Sequence, residues 1–108
     1  MEKTELLQGT LDMLVLKGLN RGTFHGYDIA RWIQQTSEDA LQVEEGSLYP
    51  ALYRMERRGW IRSHWGVSQN NRRARYYELT QTGRKQLEAE SANWERLTTA
   101  IGKIMQTA

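Results

Sequence analysis

The apolar positions divide the chain into three short stretches of helical spacing, one alternating and aromatic stretch, and a long helical stretch. From Leu6 to about Asn20, Leu7, Leu11, Leu14 and Val15 fall on one face of a helix. Leu6, Met13 and Leu16 point elsewhere and ask for a second partner. Arg21-Gly22-Thr23 is a turn. A second helix is expected from about Gly26 to Gln35, burying Tyr27, Ala30 and Ile33, followed by a polar connection from Thr36 to Val43. The third helix should begin at Gly46 or Ser47, capped by the Ser47 hydroxyl. Pro50 then falls in the first turn, where its missing N–H does least harm. Leu48, Leu52 and Met55 make the buried stripe, and Gly59 ends the helix as a left-handed cap. Trp60 to Val67 and Arg73 to Leu79 read as two strands joined by the polar turn Ser68-Gln69-Asn70-Asn71. Trp60, Trp65, Tyr76 and Tyr77 are assigned to the core of this hairpin and its junction with the third helix. Thr80 caps a final helix that runs to about Met105.

The order helix, helix, helix, hairpin, long helix is that of a winged helix-turn-helix with an added C-terminal helix, a mainly α fold with a small β-hairpin. Residues 1–79 are expected to form the winged helix-turn-helix unit and 80–108 a dimerisation helix within the same compact body. In that last helix Leu87, Trp94, Ile101 and Ala108 recur every seven residues, Leu97 and Ile104 fill the intermediate positions, and Glu90 breaks the pattern. The first three helices and the hairpin already supply a core. A seam formed by Leu87, Trp94, Leu97, Ile101 and Ile104 is therefore expected to pair with a second copy, the alternative being docking on its own domain.

Charge sharpens this picture. Between positions 54 and 75 lie Arg54, Arg57, Arg58, Arg62, Arg72, Arg73 and Arg75 against Glu56 alone, a local +6 in a chain of net +2. The remainder therefore sums to −4, and so steep a separation of sign is what a phosphate-binding face requires. On a helical wheel Pro50 and Arg57 lie opposite the buried stripe of the third helix, flanked by Tyr53, Arg54 and Ser47 on the same outward face. Ser47 and Tyr49, at the helix start, can donate to phosphate, and a guanidinium fork can grip a phosphate or a guanine edge. Arg72, Arg73 and Arg75 put further charge at the hairpin tip, more than guarding an edge strand needs. The expected partner is double-stranded DNA, with Ser47, Tyr49, Pro50, Tyr53, Arg54, Arg57, Arg72, Arg73 and Arg75 as its contacts.

Other classes of function find little support. The 108 residues make one small domain without cysteine, which removes disulfides and thiolate chemistry. His25 and His64 lie far apart in sequence with no carboxylate at ligand spacing, so neither a metal nor a cofactor is expected. The absence of a nucleophile–base set or a phosphate loop argues against an enzyme. No apolar run approaches the roughly 20 residues that span a bilayer, and the opening MEKTELLQGT lacks a secretory stretch, so a cytoplasmic location is expected.

Four groups of residues together resemble the PadR family of bacterial transcriptional regulators: Gly9-Thr10-Leu11-Asp12 with Leu14-Val15-Leu16; His25-Gly26-Tyr27 with Ile29-Ala30; Glu45 through Leu52; and Arg72-Arg73-Ala74-Arg75-Tyr76-Tyr77 with Leu79-Thr80 and Gly83. The match runs from about Leu6 to Trp94. It implies a homodimer, usually a repressor, on a pseudo-palindromic operator, with the C-terminal helix making the dimer. With a single helix after the wing, the chain looks like the short branch of the family, and no large effector domain is expected. The resemblance further implies that Trp94, beside Ala92 and Asn93, could stack a flat aromatic small-molecule effector at the dimer centre. Plain interface packing of Trp94 is the reading that its residues favour.

Overall fold

The computed structural model describes residues 6–108. Along them run α1 (Gln8–Leu19), β1 (Phe24–His25), α2 (Gly26–Thr36), α3 (Glu45–Arg57), β2 (Ile61–Val67), β3 (Arg73–Leu79) and α4 (Gln81–Met105). Both hairpin strands match the expected segments closely. The two-residue strand β1 was not foreseen; it adds to β3 antiparallel, pairing Phe24 with Tyr77 and His25 with Tyr76, and gives the sheet order β1-β3-β2. The hairpin itself runs in register from Ile61 opposite Leu79 to Val67 opposite Arg73. This is a winged helix: three helices around one core, a small antiparallel sheet on its edge, and a long closing helix.

The core lies where α1, α2, α3 and the base of the hairpin meet. Val15, Leu16, Leu48, Ala51, Leu52 and Met55 are at most 1% exposed, and burying each large side chain contributes about 1.5–3 kcal/mol. The α3 stripe is thus as the spacing predicts. The face of α1 is not: Leu16 is fully buried and Leu7 is exposed, because α1 packs against α2, α3 and α4 together and is enclosed on more than one side. In α2 the buried pair is Ile29 and Ile33, while Tyr27 is 59% exposed, so the expected burial of Tyr27 is wrong. Tyrosine is amphipathic, and the aliphatic Ile29 wins the core position.

α3 begins one residue before the expected start, after Glu44, and Ser47 makes no capping hydrogen bond. Pro50 therefore lies in the second turn rather than the first. The helix closes with a Schellman arrangement: Trp60 N–H donates to the Met55 carbonyl and Gly59 N–H to the Glu56 carbonyl, each at 3.0 Å, with Gly59 at φ 77°. That turn aims the chain directly into β2. At the other end of the hairpin, the Thr80 hydroxyl accepts from Gly83 N–H at 3.0 Å and donates to the carbonyls of Gly59 and Trp60. A Cβ at position 83 would collide with the Trp60 carbonyl, so α4 can start this close to the α3–β2 corner only with glycine there.

Beyond its first two turns α4 leaves the core. Leu87 is buried in the domain's own core, which makes it a core residue rather than a seam residue. Trp94, Leu97, Ile101, Ile104 and Met105 are all exposed, and α4 extends the molecule to a long axis of 57 Å.

Candidate nucleic-acid interface

The outward side of α3 carries Ser47, Tyr49, Pro50, Tyr53 and Arg57, all exposed. The Arg57 guanidinium lies 5.7 Å from the centre of the Tyr53 ring, one turn earlier. Arg54 departs from expectation. Its Nη2 donates to Asp12 Oδ1 at 3.0 Å, and its Nε is buried without an acceptor among the described residues. The guanidinium expected at the front of the helix is instead drawn to its rear, against α1. Asp12 is the core's one buried charged residue among those described, 6% exposed. Burial is the larger influence and raises its carboxyl above the ordinary 3.8, although Arg54 opposes this by charge and by hydrogen bond.

The hairpin joins α3 through a polar relay. Ser63 Oγ donates to Glu56 Oε2 at 2.7 Å, Arg75 Nε donates to Ser63 Oγ at 2.8 Å, and Arg75 Nη2 lies 3.5 Å from Glu56. Ser63, Trp65 and Val67 share a strand face with Tyr77, Arg75 and Arg73 through the hairpin register. Trp65 is 55% exposed and not core: it lies toward the outer end of β2, where its strand face has left the core. Arg73 and Arg75 stack on its ring at 4.5 and 5.5 Å. Arg72 stands at the tip, in a turn closed by Ser68 N–H to the Arg72 carbonyl at 2.7 Å. On the opposite face Arg62 binds Glu78 at 2.7 Å, a hydrogen bond that holds the Glu78 carboxyl below its usual range.

Three of the seven clustered arginines therefore have carboxylate partners: Arg54, Arg62 and Arg75. Arg58 stacks over Trp60 at 5.0 Å. Among the described residues, no carboxylate lies within ion-pair distance of Arg57, Arg72 or Arg73. These three are the free cations of the surface proposed from the sequence, alongside Ser47, Tyr49, Pro50 and Tyr53.

Two open grooves, of about 870 and 520 Å³, run on either side of Tyr49 and share Tyr49, Arg75 and Tyr77 in their walls. The smaller separates α3 from the wing. The larger lies between the wing and the start of α2, and it brings in Tyr27 and Arg31, which the sequence reading missed. Arg31 stacks over Tyr27 at 5.6 Å, one helical turn away. Their i, i+4 spacing on the polar side of α2 was the available signal, obscured by assigning Tyr27 to the core. His25 and His64, distant in sequence, both reach Tyr76, at 5.6 and 5.9 Å between ring centres. Trp94, Leu97, Ile101 and Ile104 lie together along the free part of α4, apart from this surface.

Fold and surface define a winged helix-turn-helix protein with a tyrosine-lined groove, edged by Arg57 and Arg75, between its third helix and its wing. Solved structures similar to it include a transcriptional regulator from Clostridium thermocellum (30% identical, TM-score 0.82, covering 89% of this chain and 93% of that one). A PadR-like transcriptional regulator from Bacillus cereus is 26% identical with a TM-score of 0.81 over 97% of this chain and all of its own. A PadR family transcriptional regulator from Eggerthella lenta is 31% identical with a TM-score of 0.77, covering 94% and 86% respectively. The family model of the transcriptional regulator PadR-like family matches residues 15–89. The chain belongs to that family, one of transcriptional regulators rather than of enzymes.

Proposed function

We propose that the protein is a dimeric, sequence-specific DNA-binding regulator of the repressor type, acting in the cytoplasm on a pseudo-palindromic operator. The observation that carries this reading is the placement of Arg57, Arg72 and Arg73, free of carboxylate partners among the described residues: Arg57 lines the groove between α3 and the wing, and Arg72 and Arg73 line the adjoining groove between the wing and the start of α2. The exposed face of α3 enters the major groove. Ser47, Tyr49 and Pro50 lie at its leading end, Tyr53 and Arg57 farther along, and the wing arginines meet the backbone. Arg54 supports the helix from behind. The exposed apolar line Trp94, Leu97, Ile101 and Ile104 supplies the dimer surface, and two recognition helices about 34 Å apart then fit successive major grooves. Trp94 in that seam is also where a flat aromatic effector would stack. Membrane attachment through a spanning helix has no support, since no helix among the described residues is long and apolar enough to cross a bilayer.

The test is selection of bound duplexes from a random pool, followed by a salt titration on the selected site. Three free arginines in each of two protomers could neutralise about six phosphates, so log K against log salt should slope near −5. The selected sites should carry twofold symmetry. Asymmetric sites, or a binding constant indifferent to salt, would refute the reading.

A further inference from the structure

Trp65 is a large aromatic side chain standing in solvent on the groove side of the wing. Its strand face starts in the core at Ile61, passes through the half-buried Ser63, and emerges at Trp65 and Val67. Across the hairpin the same face carries Tyr77, Arg75 and Arg73. One indole thus serves two guanidiniums, 4.5 Å from Arg73 and 5.5 Å from Arg75. Arg75 has further restraints in Ser63 and Glu56, whereas Arg73 has no carboxylate partner among the described residues. The contrast with Arg62 is chemical. Glu78 orders Arg62 and cancels its charge in the same contact. An aromatic ring attracts a guanidinium through its quadrupole and leaves the full positive charge available to a third party.

We propose that Trp65 is a positioning residue: its indole holds Arg73, beside the carboxylate-paired Arg75, on the groove side of the wing, so that the wing meets phosphate with the Arg73 charge already in place. The inference rests on the DNA-binding reading and adds a residue that does not itself need to touch the duplex. Ordering a long side chain before binding removes part of the entropic cost of fixing it afterwards.

The experiment compares wild type, W65F and W65L on a selected duplex, each also in an R73A/R75A background. W65L should bind about tenfold more weakly, the order expected when an arginine side chain in each of two wings has to be fixed only on binding. Its salt slope should stay that of wild type, because no charge is removed. W65F, which keeps a ring, should recover most of the affinity. In the R73A/R75A background W65L should cost nothing further. Independently of DNA, the Arg73 Nε–H order parameter should be high in the free wild type and fall in W65L. Wild-type affinity in W65L, W65F as weak as W65L, or an undiminished cost in the R73A/R75A background would each overturn the proposal. If wild type itself failed to bind duplex, the functional reading would fall, while the order-parameter comparison would still judge the stacking.

Discussion

Replacing Arg54 by alanine should chiefly cost stability, contrary to its expected place on the front of the recognition helix. The guanidinium is the ion-pair partner of Asp12, whose carboxylate is almost wholly buried between α1 and α3. Removing one member of a fully buried pair costs roughly 3–5 kcal/mol, since it strands the other charge. Here 28% of the Arg54 side chain is exposed, so water can reach part of the pair and about 2 kcal/mol is the better expectation. For a domain of this size that is a fall in Tm of about 9 °C. The pH dependence fixes the cause. Burial holds the Asp12 carboxyl above 3.8 in the folded protein, so between 3.8 and the folded value the folded state binds more protons than the unfolded one. Stability from this group therefore falls as pH rises through that window and is level above it. Without Arg54 the opposing pull is lost, the carboxyl titrates higher still, and the window widens upward. The deficit of R54A should accordingly be largest near pH 7 and shrink toward pH 4. Adding D12N to R54A should restore part of the loss, giving a positive coupling in the double-mutant cycle. Thermal unfolding by circular dichroism across pH measures all of this. An R54A variant that melts like wild type at pH 7, or whose deficit is the same at both ends, would refute the reasoning.

Replacing Arg57 should do the opposite. R57A, with an exposed side chain stacked only on Tyr53, should keep its Tm and lose about 1–3 kcal/mol of operator binding per half-site, read by fluorescence anisotropy. G83A should be among the most damaging small substitutions in the chain. Its Cβ meets a backbone carbonyl, so the Thr80 corner must shift, at about 3 kcal/mol or more and a Tm fall above about 10 °C by calorimetry. The double variant L97E/I101E should give monomers in analytical ultracentrifugation with unchanged far-ultraviolet circular dichroism, since both side chains are exposed within one chain. A surviving dimer would place the interface elsewhere.

What could be read from the sequence follows from how local each signal is. The α3 stripe, the Gly59 cap, the Thr80 cap and the two hairpin strands depend on residues a few positions apart, and each lies where its spacing predicts. The errors come from contacts between distant segments. Arg54 and Asp12 are 42 positions apart, so a helical wheel of α3 alone cannot show that the guanidinium is drawn rearward. β1 has two residues and exists only because β3 offers it an edge. Trp65 was assigned to the core on its chemistry, but exposure depends on what covers a strand, and Trp65 lies where its strand face has left the core. Leu87 fits the heptad rhythm and also the domain core, and its position within two turns of the Thr80 cap decides for the core.

The same tertiary contacts change what the arginine cluster can do. Counted along the sequence, residues 54–75 carry +6. Counted in space, Asp12 and Glu78 join Glu56 as partners, and three of the seven guanidiniums serve the fold. The division follows position on α3. Arg54 is paired with Asp12 of α1, and Arg58 follows one helical turn later on the same side, so both belong to the rear of the helix. Glu90, the residue that breaks the apolar rhythm of α4, accepts a hydrogen bond from Gln86 Nε2 at 2.9 Å, one turn earlier. Arg57 remains at the front, beside the groove between α3 and the wing, and Arg72 and Arg73 line the adjoining groove. A salt slope near −5 for a dimer follows from these six side chains; a slope near −9, as about ten neutralised phosphates would give, would mean that the rear arginines also reach DNA and that the anchoring of α3 assigned to Asp12 is wrong.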